Sequence, residues 1–223
     1  MKLILTTVAA ALLTLSAHAA EVNLNVENAR QSQSGFANSQ SMDVANAKDG
    51  LLGSARTRVQ AKNLSQTQSG FANTQKMEIG NAQAGLLGGA TANVRVEGVR
   101  QNQSGFANSQ SLRLGNAKGG LISSATSNVR AKNISQTQSG FANTQRADIG
   151  NAEGGLLGGA TTNVRVENVR QNQSGFANTQ SLRVGNAKGG LLKSARTTVV
   201  AKNLSQSQSG FANNQAMNLG NAE

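Results

Sequence analysis

The hexapeptide QSGFAN begins at Gln33, Gln68, Gln103, Gln138, Gln173 and Gln208, six times at an unbroken interval of 35 residues. Phasing without an insertion is the signature of a stacked repeat architecture, in which each copy contacts only its neighbours. The polar residues are the fixed part of this motif. Surface polar residues ordinarily drift, and core positions ordinarily exclude them. A fold built from this chain must therefore give glutamine and asparagine a role that other residues cannot fill.

Helical repeats of similar length exist, so the pattern inside one copy decides. Residues 94–117 read VRVEGVRQNQSGFANSQSLRLGNA. Val94 and Val96 alternate with Arg95 and Glu97. After a single step at Gly98, which is Asn in the other five copies, Val99, Gln101 and Gln103 share a face. Beyond Gly105, the residues Asn108, Gln110, Leu112, Leu114 and Asn116 alternate again. Period two is the strand signature, and the step at Gly98 reads as a bulge or corner. The expected fold is an all-β solenoid of six stacked strand–arc–strand repeats, parallel and in register. The repeats are placed at about 20–55, 56–90, 91–125, 126–160, 161–195 and 196–223.

Residues one repeat apart form columns. Glu27, Lys62, Glu97, Lys132, Glu167 and Lys202 alternate in sign without a miss. Asp43, Glu78, Arg113, Asp148, Arg183 and Asn218 are complementary above the second copy. Lys48, Gln83, Lys118, Glu153, Lys188 and Glu223 form a third charged column. Arg30, Arg100 and Arg170 alternate with Ser65, Ser135 and Ser205. Direct stacking of parallel strands ~4.8 Å apart accounts for this, because it brings opposite charges together and spaces like charges two layers apart. Duplication of a pair of copies would preserve such alternation but would not create its opposite signs. Each exposed pair contributes only ~0–1 kcal/mol, so the columns report register more than they supply stability.

The charged columns share one side of the alternation. The other side carries Gln31, Gln66, Gln101, Gln136, Gln171 and Gln206, and next to them Gln33, Gln68, Gln103, Gln138, Gln173 and Gln208. Beyond the turn it carries Asn38, Asn73, Asn108, Asn143, Asn178 and Asn213, then Gln40, Gln75, Gln110, Gln145, Gln180 and Gln215. The Asn46 column and the apolar columns of Val99, Leu112 and Leu114 belong to the same side. Identical amides stacked at strand spacing can hydrogen-bond along the stack, as in the Asn/Gln ladders of cross-β structures. A buried amide costs free energy unless its partners are supplied, and an identical residue above and below supplies them. Identity of the glutamines is thus a stacking requirement.

Gly35, Gly70, Gly105, Gly140, Gly175 and Gly210 mark a tight arc between two strands, where glycine relieves the steric limit on the backbone. Phe36, Phe71, Phe106, Phe141, Phe176 and Phe211 are the only aromatics and are expected to form one stacked column at that arc. The connectors GLLGSA, GLLGGA, GLISSA and GLLKSA link one layer to the next. Their paired apolar residues are expected to close a third side or cap the core edge.

Residues 1–19 read as a secretory signal peptide: Lys2, an apolar run, then Ala17-His18-Ala19 as a small-x-small cleavage site. The run is short for a membrane span. Cleavage removes the only histidine and leaves 20 basic against 10 acidic residues, with no Cys, Trp, Tyr or Pro. Most acid–base and nucleophilic catalysis draws on residues missing here, and transition-metal sites draw on His and Cys. No catalytic, cofactor or metal site is therefore expected. Without cysteine, an exported chain must be stable without disulfides.

The six-fold motif resembles that of curlin, the secreted subunit of a bacterial functional amyloid, whose repeats share the core Gln-x-Gly-x-x-Asn. Here it stands as Gln33-Ser34-Gly35-Phe36-Ala37-Asn38 and in the five later copies. The resemblance covers the centre of each copy. Curlin repeats are shorter, carry Ala where Gln40 and its equivalents stand, and Ser where the Glu27 column stands. The resemblance implies a β-solenoid that polymerises outside the cell into adhesive biofilm fibres. It also implies a related nucleator subunit and an outer-membrane export pore as partners.

The leading expectation is thus an extracellular structural subunit whose main partner is itself. The repeat phase runs from Asn23-Leu24-Asn25-Val26 to Gly220-Asn221-Ala222-Glu223, so two open, stackable ends are expected. A rival class is a monomeric solenoid adhesin or ice- or ligand-binding surface protein, for which Thr91, Thr126 and Thr161 offer a short flat column. An outer-membrane barrel would fit strands and export but lacks Trp and Tyr girdles. No specific nucleic acid and no membrane span are expected. Arg95, Arg130 and Arg165 stack like on like beside Gln60. Either Glu97 and Glu167 relieve this column, which is the preferred reading, or it is a stripe for anionic extracellular polymers.

Overall fold

A computed structural model describes residues 19–49, 52–191 and 193–223. The expected signal peptide lies outside the described residues except for Ala19, which opens the first strand. Among the described residues there are only strands, turns and bends, and no helix is long and apolar enough to cross a membrane.

Each copy makes one turn of a parallel β-solenoid with three sheets. The first wall is a long strand: Ser54–Phe71, Ala90–Phe106, Ala125–Phe141, Ala160–Phe176 and Ala195–Phe211 in layers two to six. In layer one it is split into Ala19–Glu27 and Arg30–Phe36. The second wall is six residues long, as in Ser109–Leu114. The third is a two-residue strand such as Ala117–Lys118. The solenoid is therefore three-sided. The long strands start one or two residues before the repeat limits drawn from the sequence, so natural layer boundaries fall in the connectors.

Every paired residue faces its equivalent one copy away, from Ala19↔Ser54 to Phe176↔Phe211 on the first wall. The second wall behaves likewise from Ser39↔Thr74 to Val184↔Leu219. A slip by one residue would turn each buried set outward, and that fixes the register. The step at Gly98 is a corner within the first wall. Residues 28, 63, 98, 133, 168 and 203 all have positive φ, 72° at Gly98 and 53–59° at the asparagines. Asparagine and glycine are the residues that tolerate this left-handed region.

The interior divides into zones along the cross-section. Next to the arc lie the amides. In the middle, Val59, Leu64, Met77 and Ile79 and their equivalents form one apolar cluster. Toward the connector the core narrows to alanines, with Ala55, Ala90, Ala125 and Ala160 against Ala47, Ala82, Ala117 and Ala152. Small side chains there let the short third wall approach the first. A hydroxyl column helps seal this corner: Thr57 donates to Gly80 O and Ser127 to Gly115 O, both at 2.6 Å.

Two expectations need correction. The apolar connector residues do not cap the core. Leu86, Leu87, Leu121, Ile122 and Leu156 are each exposed by 45–51 % and form an outer ridge. The glycines around them bring successive connector backbones together, with Leu121 N–H donating to Leu86 O at 2.5 Å, and turn the side chains outward. The Asn46 column is not interior either. It sits at the corner before the third wall, half-exposed, where Asn46 Oδ1 accepts from both the backbone and side-chain N–H of Asn81 at 2.9 and 3.2 Å.

Candidate functional site

The amides beside the arc are the densest polar array of the described molecule, and layers two to five bury them. Gln66 Nε2 donates to Gln31 Oε1 at 2.8 Å, Gln101 to Gln66 at 2.9 Å, Gln136 to Gln101 at 2.8 Å, and Gln171 and Gln206 continue at 2.7 Å. The Gln33 column runs the same way, from Gln68→Gln33 at 3.2 Å to Gln208→Gln173 at 2.8 Å. So does the Gln40 column, from Gln75→Gln40 at 3.2 Å to Gln215→Gln180 at 2.8 Å. The Asn38 column points the opposite way: Asn38 Nδ2 donates to Asn73 Oδ1, and Asn178 to Asn213, both at 3.1 Å.

A primary amide has two N–H donors, and the ladder uses one. The second crosses the core to a backbone carbonyl. Gln66 reaches Lys76 O at 3.0 Å, Gln103 reaches Ser109 O at 3.0 Å, and Gln75 reaches Asn102 O of the next layer at 3.3 Å. Asn73 closes the arc by donating to Gly70 O at 3.0 Å. The amides thus bind layer to layer and wall to wall together. Each buried partner left unmade would cost ~1–3 kcal/mol.

Glycine is required at the arc for two reasons. Gly70 has φ of +124°, which L side chains rarely adopt, and a Cβ there would lie 1.8 Å from Gly35 O of the layer beneath. Gly105, Gly140, Gly175 and Gly210 face the same obstacle. The phenylalanines stack as expected, with ring centroids 4.8–4.9 Å apart through Phe176 and 5.4 Å at Phe211. They stand on the outside of the arc, exposed by 42–45 % in the inner layers.

The alternating charge column is in register, Lys62↔Glu97, Glu97↔Lys132, Lys132↔Glu167 and Glu167↔Lys202. Among the described residues only its first step closes as an ion pair, Glu27–Lys62 at 3.6 Å. In the Lys48 column only Lys118–Glu153 closes, at 3.5 Å. Shorter pairs form elsewhere: Glu78 holds Lys76 at 3.1 Å and Arg113 at 3.2 Å, and Asp148 accepts from Arg146 at 2.7 Å. Asp148 lies on the outer side of its strand and is nonetheless buried, at 6 % exposure. Lys76 and Arg146 come from a column that the charge pattern did not single out, since serine and alanine occupy its other layers.

Arg95, Arg130 and Arg165 stand in register on the outer face of the first wall, all exposed. At layer spacing two like charges repel by about 1 kcal/mol in water. Glu97 and Glu167 lie two positions further along the same strands and, among the described residues, close no ion pair with them. A trough of about 450 Å³ runs along the stripe, with Arg58, Asn93, Asn128 and Asn163 on its far side.

Layer six and the first wall of layer one expose what the inner layers bury. Leu24, Met217 and Leu219 are exposed by 39–40 %, whereas Val59 and Leu182, in the columns of Leu24 and Met217, are at 0–1 %. Gln31, Gln33, Gln206 and Gln208 are half-buried, and Asn213 and Gln215 are exposed. In layer one the second wall stays covered, with Asn38, Gln40, Met42 and Val44 at 7–8 % exposure, so the open face there is the first wall, whereas layer six opens both long walls. No family model, curated protein or solved structure matches this chain, and its likeness to curlin rests on the repeated motif alone.

Proposed function

We propose that the chain is an exported structural subunit that polymerises head to tail into extracellular amyloid-like fibres serving adhesion and biofilm matrix. The observation that carries this reading is the complementarity of the two terminal layers, column by column. Laying layer one of a second copy on layer six sets Glu27 on Lys202, Glu21 on Arg196 and Lys48 on Glu223. None of these contacts brings like charges together, and in the Glu27 column the alternation continues through the joint because six is an even number of layers.

Ladder direction supports the same joint. Gln33 Nε2 would donate to Gln208 Oε1 and Gln31 to Gln206, as every glutamine donates to the layer before it. Asn213 would donate onward to Asn38, as Asn178 does to Asn213. Phe36 on Phe211 extends the aromatic column. A contact of this kind does not close on itself, so it generates a filament.

Electron microscopy of the purified mature chain after incubation should show unbranched fibres. Glu27→Lys should slow elongation at low salt and Lys202→Glu in the same molecule should restore it. Added salt should blunt both effects, since screening acts over ~10 Å at 0.1 M. A double variant that elongates no faster than the single one rules out this joint. A chain that stays monomeric at all concentrations favours the solenoid adhesin instead.

A further inference from the structure

We infer that the Arg95–Arg130–Arg165 trough is a binding site for a linear acidic polysaccharide, a chain of sugars bearing carboxylate or sulfate groups. Three guanidinium groups stand one above another on three successive layers. Among the described residues, none of Arg58, Arg95, Arg130 and Arg165 makes a salt bridge or a side-chain hydrogen bond. Exposed cations in register that no carboxylate holds in an ion pair are free to take anions, and a planar guanidinium grips carboxylate or sulfate through two parallel N–H groups.

The other side of the trough favours a sugar chain. Asn128 donates to Asn93 Oδ1 at 2.9 Å and Asn163 to Asn128 Oδ1 at 3.0 Å, so the amides form a straight polar rail beside the arginines. Thr91, Thr126 and Thr161 stand in register two positions earlier on each strand, on the side of the asparagines away from the arginines. Amide and hydroxyl columns offer hydrogen bonds to sugar hydroxyls, while the arginines offer charge. The floor is the backbone of Val94, Val129 and Val164, whose side chains face the core. The layer repeat, 4.8–4.9 Å between phenylalanine rings, is comparable to the length of one sugar ring in an extended chain.

Nucleic acid fits this face less well. Single strands are held by aromatic stacking, and the trough has no aromatic residue, the phenylalanines being at the opposite end of the wall. The class of polymer rests on the reading of the chain as extracellular. Binding itself requires no fibre, so it can fail while polymerisation holds.

The test uses the mature chain immobilised at low density, with polyuronate, a sulfated polysaccharide, neutral dextran and single-stranded DNA as probes at one ionic strength. The expected result is salt-sensitive binding of polyuronate, sulfated polymer or both, and no binding of dextran. Arg95→Gln, Arg130→Gln and Arg165→Gln together should weaken that binding by about tenfold or more. Glutamine is accepted in this column, since Gln60 occupies it one layer below. The control with the same loss of charge, Arg30→Gln, Arg100→Gln and Arg170→Gln, five residues further along the same wall, should weaken binding by less than about threefold. Equal losses in both triple variants would show diffuse attraction and overturn the site. Dextran binding as strong as polyuronate, or DNA binding stronger than either acidic polysaccharide, would overturn the assignment of the polymer.

Discussion

Across six layers the column of Gln103 is glutamine every time, while that of Leu112 reads Met, Met, Leu, Ala, Leu, Met. Both columns are fully enclosed in the inner layers. The difference lies in what each half of the core asks of its residues. An apolar column needs volume and the exclusion of water, and neighbouring side chains can redistribute volume. An amide column needs a donor and an acceptor at fixed height in every layer, because each rung is completed by the next one. A single missing rung leaves partners on both sides unmade. The amide half therefore holds composition fixed, and the apolar half lets it drift.

The sharpest way to break this comparison is to place an apolar residue of similar size in the amide half. Gln103→Leu removes the acceptor of Gln138 and the donor to both Gln68 and Ser109 O. At ~1–3 kcal/mol for each partner left unmade, stability should fall by about 3 kcal/mol or more. Leu112→Met, which the Met77 layer already displays, should cost less than ~1.5 kcal/mol. Guanidinium unfolding of the two variants compares them directly. Similar midpoints would mean that the ladders are a consequence of stacking and do not hold it.

The sequence carries the half of this arrangement that runs along the stack. Period-two alternation sorted faces, the fixed interval set the register, and the repeated glutamines and asparagines implied ladders. The half that runs across the core left no trace. Gln66, Gln103 and Gln75 reach Lys76 O, Ser109 O and Asn102 O, and a backbone carbonyl is present at every residue whatever its side chain. The shape of the cross-section was equally hidden. Whether Leu86 and Leu87 face in or out depends on how closely glycine-rich connectors stack, which alternation does not encode. Charge columns were readable as register but not as contacts, since flexible exposed side chains settle on whichever partner is nearest, as Glu78 does with Lys76 and Arg113.

That distinction yields a smaller effect. Glu97 lies in register between Lys62 and Lys132, and neither closes an ion pair with it. Glu97→Gln should therefore cost less than ~1 kcal/mol, and the difference from the parent chain should vanish in high salt. A loss that approaches that of Gln103→Leu would mean that the outer columns, not the amides, fix the layers.

The smallest effect tests whether a ladder gains by completion as well as losing by interruption. At the corner of the first wall, Asn63 donates to Asn28, Asn168 to Asn133 and Asn203 to Asn168, all at 2.9 Å. Gly98 breaks this exposed column between Asn63 and Asn133. Gly98→Asn would supply two rungs, one to Asn63 and one from Asn133, in a backbone conformation that five asparagines already adopt. Losing glycine also lowers the entropy of the unfolded chain. Against this, a Cβ at position 98 would stand 3.0 Å from Asn63 Oδ1, which must yield by a few tenths of an ångström. A net gain of about 0.5 kcal/mol is expected, raising the thermal midpoint by about 1–2 °C. Gly98→Ala is the control, because it brings the same Cβ at positive φ without an amide, and it should lower the midpoint. If Asn at this corner is no more stable than Ala, side-chain rungs matter only where water is excluded, and the identity of the inner glutamines is owed to their burial and not to the ladder as such.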